Sequence, residues 1–274
     1  SAIREFESDN NYLSISFIRE LIQNAIDAWN KTSGSPVRLV FRIVNIENKY
    51  QKTLKDLFKD IMPLIKLGIS SSKKFTYSDE DLYKKALVVE EFNTIGLTGE
   101  YNRKKNDESS WHYSNYLFGV NRGTKIEGGG SAGVGKITSN MVSELRSILF
   151  ITSRSDDEEV WAGGRVEFEA AHVIGDQTFD NCAFLFNKKS TMDLKDLTEK
   201  DKDDICMPVS DKTDVDLIKE IFQLKRTDSE YGTSWIMPAP LHETNKQKKE
   251  ELTSVNSYKK IILQEYSWAI IVGL

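Results

Sequence analysis

A glycine-rich stretch followed by a lysine is the part of this sequence best suited to binding phosphate. Its glycines follow the pattern Gly130-x-x-Gly133-x-Gly135, and Lys136 comes directly after them. Glycine adopts positive φ without strain and lets the backbone approach a ligand closely. The free N–H groups at a helix start bind phosphate oxygens, and we expect a helix to begin near Ile137. The stretch therefore predicts a phosphate site, with a flexible linker as the alternative.

The same residues nearly fit the phosphate loop of P-loop NTPases, as Gly130-x-x-x-x-Gly135-Lys136. That loop continues with Ser or Thr, whose hydroxyl binds magnesium, but position 137 is Ile. A buried strand should lead into the loop, and residues 125–128 are poorly suited to one. The acidic strand end at residues 87–91 precedes the loop, whereas a magnesium-binding strand should follow it. These departures disfavour a P-loop NTPase.

An amphipathic segment at residues 17–29 carries three polar side chains at helical spacing. Asn24 projects inside its apolar arc, and Glu20 and Asp27 lie at the edge, because residues three and four apart are helix neighbours. A carboxylate and an amide on an apolar surface are costly unless something satisfies them. The spacing Glu-x-x-x-Asn-Ala-x-Asp-Ala favours a functional role over a solvated polar edge. The apolar arc consists of Leu13, Phe17, Ile18, Leu21, Ile22, Ala25, Ile26, Ala28 and Trp29.

The composition limits the class of protein. The 274 residues are 39% hydrophobic, enough for one large domain or two small ones. A net charge of −5 argues against a broad nucleic-acid-binding face on this segment. Two cysteines, Cys182 and Cys206, exclude a disulfide framework and favour a reducing, cytoplasmic location. We find no zinc-site spacing and no apolar run of membrane-spanning length.

Hydrophobic periodicity and turn signals predict the strands and helices that position these residues. Their order along the chain predicts one α/β domain. Strands are predicted at 37–44, 86–89, 147–154, 160–173 with a bend at Gly163 and Gly164, 182–187 and 232–238. Helices are predicted from about residue 11 to 29, at 50–67, 79–85 and 137–145, and within 190–227. Residues 98–130 are polar and long enough to be a functional lid or a disordered segment. Residues 241–274 are predicted to form a C-terminal helix, and we expect the natural chain to continue past Leu274.

Four segments together resemble the motifs of the GHKL ATPases, the superfamily of the gyrase B subunit, ninety-kilodalton heat-shock chaperones, histidine kinases and MutL proteins. They occur in the family's order, at residues 20–28, 90–96, 129–135 and 231–238. The pair Asp27-Ala28 favours the gyrase, chaperone and MutL branch over histidine kinases. The Gly-Lys end of the glycine segment also resembles uncharacterised bacterial GHKL proteins, some of them linked to phage defence.

The resemblance implies roles for single residues. The glutamate of the first motif, here Glu20, would be the general base, and its asparagine, here Asn24, would coordinate Mg²⁺. Asp27 and Gly96 are counted among the residues around the nucleotide, with structural or lid contacts expected of Asp27. The second motif is normally Asp-x-Gly-x-Gly, and its acid accepts a hydrogen bond from the adenine amino group.

This chain departs from the second motif. It carries Glu in place of Asp and Asn93 in place of the first glycine. The spacing to its last glycine, Gly96, is one residue longer than in the motif. The adenine acid is therefore open between Glu91, which we prefer, and Glu90.

The remaining motifs imply contacts at the two ends of the nucleotide. The third is the hinge of the ATP lid, with phosphate contacts from Gly129, Gly130, Ser131, Ala132, Gly133, Val134, Gly135 and Lys136. In the fourth, the Thr233 hydroxyl would help to hold the adenine.

The resemblance implies a two-layer α/β sandwich of the Bergerat type, with a mixed, mostly antiparallel sheet covered on one face by helices. It would occupy residues 1–240, with a helical insertion at 45–85 and a glycine-hinged ATP lid at 98–130.

The implied activity is Mg²⁺-dependent ATP binding and hydrolysis, coupled to lid closure and homodimerisation, in bacterial genome defence or DNA transactions. The alternatives are a nucleotide-gated switch or chaperone-like module with little hydrolysis and, less favoured, a protein kinase. The expected partners are ATP and ADP, a second copy of the chain, and a downstream effector domain or partner protein. Nucleic acid and membranes are not expected to bind this segment.

Overall fold

The computed structural model describes residues 13–68, 77–99, 142–168, 172–174, 176–179, 182–185 and 208–241. Four α-helices lie within these ranges: α1 (Leu13–Asp27), α2 (Asn48–Phe58), α3 (Met62–Gly68) and α4 (Lys212–Ile221). A short 3₁₀ helix follows α1 at Lys31–Ser33. The strands are β1 (Arg38–Asn45), β2 (Lys85–Phe92), β3 (Ser147–Ser153), β4 (Val160–Glu167), β5 (His172–Ile174), β6 (Gln177–Phe179), β7 (Cys182–Leu185) and β8 (Gly232–Pro238). The predicted α/β class is confirmed. No helix in the described ranges has the length and apolarity needed to cross a bilayer.

Six strands form one sheet in the order β1-β2-β8-β3-β4-β7, and every neighbouring pair is antiparallel. Strands β5 and β6 pair separately. Although β8 comes last in the chain, it lies between β2 and β3 in the middle of the sheet. The strand of the fourth motif is therefore hydrogen-bonded to the strand that carries the second motif.

The register separates the two faces of this sheet. Trp235 is paired with both Val89 and Phe150, so these three side chains share one face. Helix α1 packs on that face through Phe17, Ile18 and Leu21, and we call it the α1 face. Its buried sheet residues are Leu87, Val89, Ile148, Phe150, Trp235 and Met237.

The other face, which we call the opposite face, is also covered. Its buried sheet residues include Val88, Leu149 and Ile236, and they cluster with apolar residues of α2, α3 and the end of α4. The expected two-layer arrangement with helices on one face is therefore wrong for the described part. The physical reason lies in the central strands, which are buried along nearly their whole length and need apolar cover on both sides.

Two predicted helices differ from the structure for local reasons. The helix predicted at 50–67 is interrupted between α2 and α3, just before Pro63, a residue that belongs in a first helical turn and restricts the residue preceding it. The helix predicted at 79–85 is a series of turns, in which the Ser78 hydroxyl accepts a hydrogen bond from the Asp81 N–H at 3.2 Å.

Two further predictions concern the segments around β3 and β4. Residues 142–145 form turns and a bridge from Ser143 to Pro240, so the predicted helix does not extend to Leu145. No bend occurs at Gly163 and Gly164, which lie within regular β4. A Cβ on Gly164 would come within 2.6 Å of Leu149 Cδ2, so the space above this glycine is filled by the neighbouring strand's side chain.

The packing of α1 predicts a difference between two of its own side chains. Phe17 is fully buried against the sheet and Ile26 is 55% exposed. We expect Phe17→Ala to lower the free energy of unfolding by about 3 to 5 kcal/mol, and Ile26→Ala by less than about 1 kcal/mol. Urea denaturation of the two variants checks this, and equal losses would contradict the packing of α1 on the sheet.

Candidate functional site

The polar residues of α1 lie on the part of the helix that the sheet does not cover. Glu20 is half-buried, whereas Asn24 and Asp27 are exposed. The prediction that Asn24 sits inside a buried apolar arc is wrong, as is the extension of that arc to Ile26 and Trp29, which are exposed. The buried stripe is narrower because only one side of α1 contacts the sheet. Asn24 is consequently accessible to a ligand.

The end of α1 is hydrogen-bonded to the loop that follows β2. The N–H of Ile95 donates to the carbonyl of Ala28 at 2.8 Å, and the N–H of Asn30 donates to the carbonyl of Asn93 at 2.9 Å. The first and second sequence motifs are thus joined directly. With a rise of 1.5 Å per residue, Asn24 lies about 6 Å and Glu20 about 12 Å along the helix axis from Ala28.

The carboxylate of Asp27 accepts a hydrogen bond from another residue of α1. Gln23 Nε2 donates to Asp27 Oδ1 at 2.8 Å, a pair four residues apart on an exposed surface. The role of Asp27 in structural or lid contacts stays a prediction.

The two acids at the end of β2 point to different faces. Glu90 is fully buried on the opposite face, where its Oε2 lies 2.5 Å from Arg42 Nη2. Its Oε1 accepts hydrogen bonds from the N–H groups of Lys225 and Arg226, at 3.0 and 3.1 Å. Both oxygens of Glu90 are therefore engaged: Oε2 pairs with Arg42 on β1, and Oε1 holds the loop after α4 against the sheet.

Glu91 lies on the α1 face, beside the residues of the fourth motif. Its carboxyl accepts a hydrogen bond from the indole Nε1 of Trp235 through Oε1, and its Oε2 has no donor among the described residues. Burial raises the pKa of Glu91 from 4.5 to about 7, while the Trp235 hydrogen bond and the charge of Arg226 act in the opposite direction. Of the two acids, Glu91 is therefore better suited to accept a hydrogen bond from a ligand, because both carboxyl oxygens of Glu90 already have partners.

Thr233 lies near Glu91 at the same end of the sheet. Its hydroxyl oxygen is 3.1 Å from the hydroxyl oxygen of Thr152 on β3, and Thr152 Oγ1 also accepts a hydrogen bond from the N–H of Leu97 at 2.8 Å. These bonds connect the fourth motif, β3 and the loop of the second motif. They leave Glu91, Thr152 and Thr233 clustered on the α1 face.

The unusual residues of the second motif have the backbone conformations that the loop requires. Asn93 has φ 64° and Gly96 has φ 74°, and asparagine is among the few side chains that adopt this region readily. At Gly96 no side chain fits, because a Cβ would lie 2.5 Å from the carbonyl oxygen of Ser153. Asn93 can therefore take the backbone conformation of a glycine, and Gly96 packs the loop against β3.

The predicted phosphate contacts lie outside the described residues. They are Gly129, Gly130, Ser131, Ala132, Gly133, Val134, Gly135 and Lys136, and the predicted lid at 98–130 and C-terminal helix lie almost entirely outside as well. Within the described ranges no group of three or more His, Cys, Asp or Glu side chains could hold a metal ion. The exposed amide oxygen of Asn24 is a hard ligand of the kind that Mg²⁺ prefers.

Sequence reasoning missed three side chains that organise this end of the sheet. Trp235 and Thr152 contact the site as described above, and buried Arg154 donates from Nη1 to the carbonyl of Leu97 at 2.8 Å. Arg154 is held in turn by Asp157, whose two oxygens lie 2.9 and 3.0 Å from its Nε. The sequence signal was present for Trp235, inside the fourth motif, and for Arg154, at a strand end followed by two aspartates.

Comparison of the sequence with models of known protein families and with curated proteins found no match.

The raised pKa of Glu91 predicts a pH-dependent stability. The unfolded chain releases this proton near pH 4.5 and the folded chain near pH 7, so the contribution of Glu91 to stability is lost as the pH rises between these values. We expect the free energy of unfolding of the wild type to fall by up to about 3 kcal/mol relative to Glu91→Gln over this range. Denaturant titrations at pH 4.5 to 8 measure the difference.

The matched control for this experiment is Asp60→Asn, which removes an acid from an exposed position. Its stability should follow the wild-type pH dependence. A constant difference between wild type and Glu91→Gln across the range would show that Glu91 does not titrate as a buried acid.

Proposed function

We propose that this chain binds ATP together with Mg²⁺ on the α1 face of the sheet and hydrolyses the γ-phosphate, as a GHKL-type ATPase module. The observation that carries the proposal is the convergence of three motif segments at one end of the sheet. Residues 93–95 are hydrogen-bonded to the end of α1, and Trp235 from the fourth motif donates to Glu91 from the second. Segments that are far apart in sequence thus surround one surface.

The chemistry of Glu91 and Thr233 suits the adenine ring. Glu91 Oε2 is a carboxyl oxygen without a donor among the described residues, and the 6-amino group of adenine is a donor. Guanine presents an acceptor at this position, so it would oppose one acceptor with another. The Thr233 hydroxyl both donates and accepts, and it would bond a ring nitrogen or an intervening water.

Residues of α1 would act at the phosphate end of the nucleotide. Bound Mg²⁺ would neutralise charge on the phosphates, and Asn24 would hold it through the amide oxygen. Glu20 lies one helical turn further along and is partly accessible to water, so its carboxylate can accept the proton of an attacking water. The glycine N–H groups of residues 129–135 and Lys136 would bind phosphate oxygens.

The general base is tested by Glu20→Ala. We expect the variant to retain ATP binding and to lose turnover by a factor of about 10² to 10⁴, because proton transfer is lost while the Asn24 amide remains. Phosphate release and ATP binding are measured side by side. Arg19→Ala, an exposed neighbour on α1, is the control, and turnover in Glu20→Ala equal to that of this control would rule out the assignment.

A nucleotide-gated switch with little hydrolysis is the second candidate. It is favoured by two large apolar side chains at and just after the end of α1, Ile26 and Trp29, which are 55% and 42% exposed. In this case ATP binding would drive association of two copies through the end of the helix that touches the 93–95 loop. The cellular setting implied by the resemblance, bacterial genome defence or DNA transactions, stays a prediction.

Mass in solution and phosphate release, measured in the same samples, together separate the two candidates. We expect a dimer with a non-hydrolysable ATP analogue and a monomer with ADP, because the γ-phosphate distinguishes the two states. Phosphate release in the same samples shows whether turnover accompanies the change. A mass that is identical with both nucleotides would exclude a nucleotide-gated dimer.

A further inference from the structure

The acid of the second motif in this chain is one methylene longer than the aspartate of the family that it resembles. A glutamate has an additional rotatable bond, so its carboxyl samples more positions unless another group restrains it. An acid that must face one group of a ligand therefore needs such a restraint here. The structure contains a candidate for it on the neighbouring strand.

Trp235 is placed by the register to reach Glu91. It pairs with Val89, and Glu91 lies two residues further along β2 on the same face, which makes the two side chains diagonal neighbours. The indole N–H of Trp235 donates to Glu91 Oε1. An indole nitrogen can only donate, so the bonded oxygen must act as an acceptor and Oε2 is left for a ligand.

The indole is itself held in place. Trp235 is 7% exposed, and its ring centroid lies 6.2 Å from that of Phe150 at an interplanar angle of 60°. The backbone of Glu91 is held from the opposite face, where Arg226 Nη2 donates to its carbonyl and Arg226 Nε donates to Ser234 Oγ at 3.1 Å. Both the backbone and one carboxyl oxygen of Glu91 are thus immobilised.

We propose that Trp235 is a specificity-determining positioning residue, which holds Oε1 of Glu91 so that Oε2 faces the 6-amino group of a bound adenine nucleotide. The inference rests on the proposed ATP site and adds to it a residue that acts through Glu91. Removal of the indole N–H should therefore weaken recognition of the amino group and leave the binding of the rest of the nucleotide intact.

The test compares ATP with purine riboside triphosphate, which lacks only the 6-amino group, in equilibrium binding at pH 8. In the wild type we expect ATP to bind at least about tenfold more tightly, since one hydrogen bond to a charged group is lost in the analogue. In Trp235→Phe we expect the ratio of the two affinities to fall to about twofold, through weaker ATP binding and unchanged binding of the analogue.

Two further variants separate positioning from damage to the fold. Benzothienylalanine at position 235 keeps the shape of the ring and replaces N–H with sulfur, so it should lower the ratio as Trp235→Phe does. Met237→Ala removes a buried side chain from the same face of β8. Met237 pairs with Leu87, four residues from Glu91 along β2, so this variant should keep the wild-type ratio even where it lowers stability.

The remaining outcomes each have a definite meaning. Trp235→Phe and benzothienylalanine variants that keep the tenfold ratio, or that weaken both nucleotides equally, would overturn the role of Trp235 while the ATP site stands. A wild type that binds both nucleotides equally would overturn the contact of Glu91 with the amino group, and with it this inference. A wild type that binds neither would overturn the proposed function itself.

Discussion

The structure depends on the insertion of β8 between β2 and β3. This strand comes last in the chain among those of the sheet, yet it pairs on both sides in the middle of it. The sheet is continuous only because β8 is hydrogen-bonded to β2 along one edge and to β3 along the other. The same pairing brings Trp235 to Glu91 and Thr233 to Thr152. The candidate site and the centre of the fold are therefore products of one strand pairing.

Alternation along the strands then separates acids that are adjacent in sequence. Glu90 is neutralised on the opposite face by Arg42 and two backbone N–H groups, as a buried charge requires. Glu91 receives one indole donor, and its pKa is raised to about 7. A buried acid with a perturbed pKa and a remaining acceptor oxygen is typical of a binding site. Of the two acids, only Glu91 therefore keeps a carboxyl oxygen without a donor among the described residues.

Local pattern predicted most strands because burial leaves a plain signature in the sequence. Alternation located β1 to within a residue, and apolar runs located β2, β3 and β8. Two predicted helices differ from the structure, and the reasons are local interactions that the hydrophobic periodicity does not show. Pro63 divides a helical stretch into α2 and α3, and the Ser78 hydroxyl bonds a backbone N–H where a helix was expected. The second layer of helices could not be predicted, because no pattern in α2 or α4 identifies the face of the sheet on which it packs.

The sequence by itself determined the α/β class, the order of the motifs and the residue types at Glu20, Asn24, Glu91 and Thr233. Periodicity predicts the class and helical spacing singles out Glu20 and Asn24, whereas the motif order, Glu91 and Thr233 come from the resemblance to the GHKL motifs. The tertiary structure decided which acid shares a face with α1, that Asn24 is exposed, and that Trp235 holds Glu91. The physical reason is that these relations depend on strand order and register between distant segments, as with the 144 positions that separate Glu91 from Trp235.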